Sequence, residues 1–285
     1  TGEGTRERRD AIFDAVEVIS QKAQDVDKVK LPALADSSLD EILKRLDAKF
    51  SDEEERGYMA NVAFTRESLN WRGWLDFGTG VVGDMGAHII DHPYWALDLG
   101  LPTKVSASSS RFGRDLETFP IASKIHFEFP AKGNRPAVKL TWYDGGLLPE
   151  RPEFLEQGRM LGDRDGGVLI VGDKNTLMHG VYGREPRLIP ETKHLEYQQP
   201  APTMDRSPGI HQEWIDAIKN RSKMTTSHFA YSGQLSETML LGNIATVRAS
   251  ENKVLEYDGE NMRFTNDDGA NAHLDKDYRA GFGLV

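Results

Sequence analysis

The sequence predicts an α+β fold: an open, mostly antiparallel sheet with helices on one face, preceded by a short helical segment. Three observations carry that expectation. Strand-like stretches come in runs rather than alternating regularly with helices, which favours antiparallel pairing over parallel crossover units. In Ile125-His126-Phe127-Glu128-Phe129 apolar and polar side chains alternate, so one face of that strand should be buried. Composition also changes near residue 68: all 5 Trp and most of the 27 Gly lie beyond it, while charged residues are densest before it.

Residues 1–68 read as a helical segment of unclear origin. Ile12, Val16 and Ile19 recur at helical spacing with Phe13 beside them, and Pro32 marks a connector. Ser38 and Glu41 have capping-box spacing ahead of Ile42, Leu43, Leu46 and Phe50, and Ser51 and Glu54 repeat the signal before Gly57. This segment is either an appendage with solvated charged faces or a partner-binding helical pair. It holds no catalytic grouping.

Residues 69–285 read as the main domain. Val81–Leu99, or Gly83–Leu99 at its narrowest, is expected to be a helix containing Pro93. Lys104–Ser110, Ser123–Phe129, Val138–Tyr143 and Gly167–Val171 are expected strands, the last turning at Gly172-Asp173. His211–Asn220 and Gln234–Ala249 are expected helices. Ile125, Phe127 and Phe129 suggest a sheet whose second face is partly apolar, and with it a homo-oligomer.

Composition narrows the classes. The chain has 285 residues and a formal net charge of -10, which argues against a general nucleic-acid binder. No apolar run approaches the roughly 20 residues of a membrane helix. Cysteine is absent, which excludes disulfides and Cys-ligated metal centres. The chain begins at Thr1 with no signal-peptide pattern. The compartment is therefore open, and the natural start is expected to lie upstream.

The densest chemistry lies in Asn70–His92, and three readings compete there. Gly78, Gly80 and Gly83 satisfy G-x-G-x-x-G, a dinucleotide signature. That signature needs a strand before it and an acidic strand end about 20 residues later, and neither is evident. His88 and His92 are four apart on one helix face, and with Asp91 they echo an inverted zinc-protease motif. Pro93 disturbs that helix and no third ligand is evident, so no metal is expected. Asp84 and His88 are also four apart, so a carboxylate can orient an imidazole that accepts a proton near neutral pH. Against this stands a plainer reading, with Asp84 as a helix cap and His88 as a satisfied core histidine.

Asn70-Trp71-Arg72-Gly73-Trp74, Gly78–Asp91, Trp95-Ala96-Leu97 and Gly100-Leu101-Pro102-Thr103 together resemble the Gfo/Idh/MocA oxidoreductases, the glucose–fructose oxidoreductase and inositol dehydrogenase family. The likeness continues through Gly167–Lys174, Gly183–Leu188, His211–Lys219, Leu240–Ala245 and Tyr278–Phe282. It implies a C-terminal substrate and oligomerisation domain, with a sugar or polyol hydroxyl oxidised by hydride transfer to NAD or NADP. Asp84 and His88 match the family's catalytic D-x-x-x-H pair. The resemblance also implies that Arg72, Gly78, Gly80 and Gly83 face the cofactor, and that Asp91 and His228 face the substrate.

Two departures qualify that implication. The family's Glu-Lys-Pro motif, which carries its catalytic lysine, does not occur, and residues 1–68 lack a Rossmann pattern. The chain is thus expected to lack the dinucleotide-binding domain and to bind NAD(P) weakly or not at all. A non-enzymatic oligomerisation or ligand-binding module derived from the family is the alternative.

Overall fold

The computed structural model describes residues 71–110, 117–275, 279 and 281. The expected helical segment 1–68 and its boundary lie outside the described residues. In chain order the elements are α1 (Gly80–Ile89), α2 (Asp91–Ala96), β1 (Lys104–Ser109), β2 (Ser123–Phe129), β3 (Val138–Tyr143), β4 (Gly167–Val171), β5 (Thr176–Gly180), β6 (Arg187–Ile189), α3 (Glu191–Glu196), α4 (Ile210–Lys219), α5 (Phe229–Val247), β7 (Leu255–Asp258), β8 (Arg263–Phe264) and α6 (Asp268–Asn271).

The strands form two open sheets, ordered β3-β2-β1-β7-β8 and β4-β5-β6. Every strand pairing in both is antiparallel. Helices and antiparallel sheets in this arrangement make an α+β fold. The alternation in β2 sets the register of the larger sheet. Phe127 lies opposite Val105 on one side and Leu140 on the other, while Ile125 lies opposite Ala107 and Trp142. These side chains therefore share one face, and α5 packs on it. Phe127 and Phe129 are almost fully buried there, each contributing about 1.5–3 kcal/mol relative to exposure.

Helix α5 buries Leu235, Met239, Leu241 and Ile244 in this core. Thr238 and Thr246 are buried as well, and their hydroxyls donate to the carbonyls of Gln234 and Gly242 one turn back (both 2.9 Å). Helix α1 packs on α5 in turn. The smaller sheet has its own apolar centre of Leu155, Met178 and Ile189.

The structure revises two expectations. The single helix expected over Val81–Leu99 is two helices that meet at Ile90. Pro93 has no N–H to bond the Ile89 carbonyl, so the first helix ends there, and the same proline sits comfortably in the first turn of the next. The apolar side of β2 is also not a free face. Ile125, Phe127 and Phe129 are the face under α5, and the opposite face carries Lys104, Ser106, Lys124, His126, Glu128 and Thr141. No described helix is long and apolar enough to cross a membrane.

Candidate functional site

The helical run α1–α2 divides its side chains by the helix period. Val82, Gly86, Ile90 and Tyr94 follow one another at four-residue spacing and are buried. Asp84, His88 and His92 form a second row displaced by two positions, about 200° around the axis. Asp84 and His88 are exposed, and His92 is half-buried. The expected pair therefore faces away from the core, and the core-histidine reading does not describe His88.

Each member of the row has a partner from elsewhere in the chain. Arg72 forms an ion pair with Asp84. His88 meets Tyr182 edge to face, with ring centroids 5.4 Å apart. His92 meets His179 in the same manner at 5.2 Å. Tyr231, from the first turn of α5, donates its hydroxyl to the Asp91 carboxylate. Burial and the Asp91 charge both raise the Tyr231 pKa, so the phenol remains a donor. His228 stands at the residue before α5 without a side-chain capping bond, and its ring centre lies 6.5 Å from that of Tyr231.

The geometry departs from the spacing argument at one point. No hydrogen bond joins Asp84 to His88 among the described residues: Asp84 holds Arg72, and the imidazole is placed by Tyr182. Burial and the adjacent His179 push the His92 pKa down, against a smaller upward pull from Asp91. Three polar atoms within this network are buried without a hydrogen-bond partner: Arg72 Nε, His92 Nδ1 and His228 Nδ1.

The glycines of the G-x-G-x-x-G pattern are filled by protein. A Cβ at Gly78 would strike the Arg72 backbone, and one at Gly80 would come within 2.8 Å of the Phe119 ring. Gly80 also has φ +63°, which suits glycine. A Cβ at Gly83 would strike the Thr79 side chain. Among the described residues, a 3-10 turn, Trp71–Gly73, and an isolated bridge of Trp74 with Thr118 precede this loop, and no strand does. Asn243 ties the loop down, its amide donating to the Thr79 carbonyl (2.7 Å). A dinucleotide pyrophosphate needs a strand, a tight turn and open helix N-terminal amides, and these residues do not fit that group. Among the described residues no three His, Asp or Glu side chains are arranged to hold a metal ion.

Sequence reasoning brought Arg72, Asp84, His88, Asp91 and His228 to one neighbourhood and missed Tyr182, His179 and Tyr231. The Gly180-Val181-Tyr182-Gly183 turn was a usable signal, because glycines flanking an aromatic residue mark a tight turn that can present it. No protein-family model and no curated protein matches the chain.

Proposed function

We propose that residues 69–285 form the substrate-binding part of a sugar or polyol oxidoreductase of the Gfo/Idh/MocA kind. One observation carries this reading. Asp84 and His88 stand exposed in one row of α1, with Arg72 paired to the carboxylate and the Tyr182 ring against the imidazole. An exposed carboxylate and imidazole beside a guanidinium and an aromatic ring offer a polyhydroxylated ligand hydrogen-bond partners and a stacking face. His88 is the proton acceptor for a substrate hydroxyl, and Tyr182 holds its ring. Arg72, fixed by Asp84, orients a hydroxyl oxygen. Asp91 and His228, joined through Tyr231, contact a further hydroxyl. When bound, NAD or NADP supplies the hydride acceptor. Gly78, Gly80 and Gly83 shape the protein's own loop and make no contact with the cofactor in this reading. The chain is a homo-oligomer in this reading.

The engagement of Asp84 by Arg72 also suits the rival reading, a ligand-binding module that performs no proton transfer. Calorimetric titration of the full chain with hexoses and polyols tests the ligand site that both readings share, and turnover separates them. The expected result is binding that Asp84→Asn and His88→Ala weaken, with circular dichroism unchanged. NAD and NADP are expected to bind weakly or not at all, and micromolar cofactor affinity would overturn that part. With a dinucleotide-binding domain supplied, His88→Ala should lower turnover about 10²–10⁴-fold. A lower melting temperature with unchanged turnover would leave His88 a structural residue.

A further inference from the structure

Next to Tyr182 lies a cleft of about 590 Å3, within the range of about 300–1,000 Å3 typical of small-molecule sites. The loop around Asp163, the end of β5 and the turn after Gly183 form its walls. Two ring contacts join it to the His88 row. Arg184, in the wall, lies 5.2 Å from the centre of the Tyr182 ring, whose edge-to-face neighbour is His88. His179, also in the wall, is the ring partner of His92.

The backbone entering the cleft is unusual. Tyr182 (φ 62°), Gly183 (φ 68°) and Glu185 (φ 50°) are all left-handed. That conformation is rare for a bulky side chain, and backbone strain of this kind concentrates at ligand sites. Tyr182 is nonetheless 51% exposed, so burial in the core does not account for its placement.

The charges on the wall are not self-satisfied. Arg159 and Arg187 are taken up by Glu156 and Glu191. Arg184 has no carboxylate partner among the described residues, and its guanidinium faces the Tyr182 ring. Asp163 accepts the Asp165 N–H through Oδ1 at 2.9 Å, while its Oδ2 is buried with no partner. With Arg159 and Arg187 paired, the wall sets Arg164 and Arg184 against Asp163, Asp165 and Glu185, a mixture of both signs that favours no single ionic ligand. A neutral sugar suits this mixture, donating hydroxyls to the exposed Asp165 and Glu185, accepting from Arg184 and laying its C–H face on Tyr182 at the edge of the cleft.

We propose that this cleft is the subsite for the second, non-reacting ring of a neutral glycoside whose first ring lies along His88. The inference rests on the sugar-site reading above and narrows the substrate class to glycosides and disaccharides. The test is calorimetric titration of the full chain with glucose and galactose, then with maltose, cellobiose and lactose. At least one disaccharide should bind about tenfold tighter than its monosaccharide, the contribution of one charge-assisted hydrogen bond. Asp165→Asn and Arg184→Gln should each bring that disaccharide down to the monosaccharide's affinity. Tyr182→Gly removes the ring, suits the left-handed backbone, and should weaken the disaccharide with the circular dichroism spectrum intact. Equal affinity for both classes, with hexose binding lost in His88→Ala, overturns the subsite and leaves the sugar site standing. No binding of any neutral sugar overturns both. A preference for glucuronate or a sugar phosphate that depends on Arg184 overturns the neutral assignment.

Discussion

His92 and His126 are two imidazoles whose surroundings oppose a positive charge. His92 is pushed down chiefly by burial and then by His179, with Asp91 pulling the other way. His126 lies on the open face of β2, where its Nδ1 is 2.9 Å from the Thr141 hydroxyl. Burial lowers its pKa first, Lys139 and Lys124 lower it further, and Glu128 raises it. A histidine depressed in the folded state binds protons less readily than in the unfolded chain. Its contribution to stability is therefore full above the unfolded value and is lost as pH falls through the lower folded value. The melting temperature should drop between about pH 7.5 and about pH 5, a window above most carboxylate titration. His92→Gln and His126→Gln should each flatten that drop, and the double variant should flatten it most. Parallel melting curves for wild type and double variant across this window would show that neither ring is responsible.

Helix α5 contains two glycines that the same substitution separates. Gly233 has open space around its Cβ direction, so Gly233→Ala should add about 1 kcal/mol through helix propensity alone. A methyl at Gly242 would lie 2.7 Å from Cζ of Phe127, a ring with no exposed surface and strands on both sides. Overpacking there costs about 1–3 kcal/mol, so Gly242→Ala should lose stability despite the same propensity gain. Opposite shifts in chemical-denaturation midpoint check the pair, and a rise for both would show that α5 is not packed closely on the sheet. This helix also shows what a sequence reveals at the scale of one element. Its apolar run from Leu235 onward is legible, whereas the first turns are not, because Gly233 interrupts the pattern. Strands β2 and β3 carry their pairing in their own alternation and were read with the right ends. Strand β7 is four residues long, and its partner β1 lies far away in the chain, so local pattern could not mark it. The site divides in the same way. Helical spacing along α1 and α2 brings out Asp84, His88 and Asp91, but Tyr231 reaches Asp91 across 140 positions, and Tyr182 arrives on a turn after β5. Such contacts are products of tertiary packing and leave no period in the sequence.

In the main domain, the five-stranded sheet has α5 on one face and a polar surface on the other. Ser106, His126 and Thr141 form a cross-strand row on that surface, flanked by Lys104, Lys124, Glu128 and Lys139. The apolar side chains expected there are inside the core, so a homo-oligomer using this face would join polar surfaces. That is physically ordinary, since non-obligate interfaces are about as apolar as the rest of a protein surface. Closed two-fold pairing would place the central row of one copy against the same row of its partner. In that arrangement the formal charge of -10 on each chain opposes association overall, while interleaved Lys and Glu side chains supply local complementarity. Light scattering at micromolar concentration should give twice the 31.9 kDa chain mass. Thr141→Arg sets like charges face to face at the centre of the row and should halve that mass. As a surface substitution away from the core, it should change folding stability by no more than about 0.5 kcal/mol. A single-chain mass for the unaltered protein would end the homo-oligomer proposal. A two-chain mass indifferent to Thr141→Arg would move the contact to another surface, with the exposed Ile210, Trp214 and Ile218 of α4 the next to test.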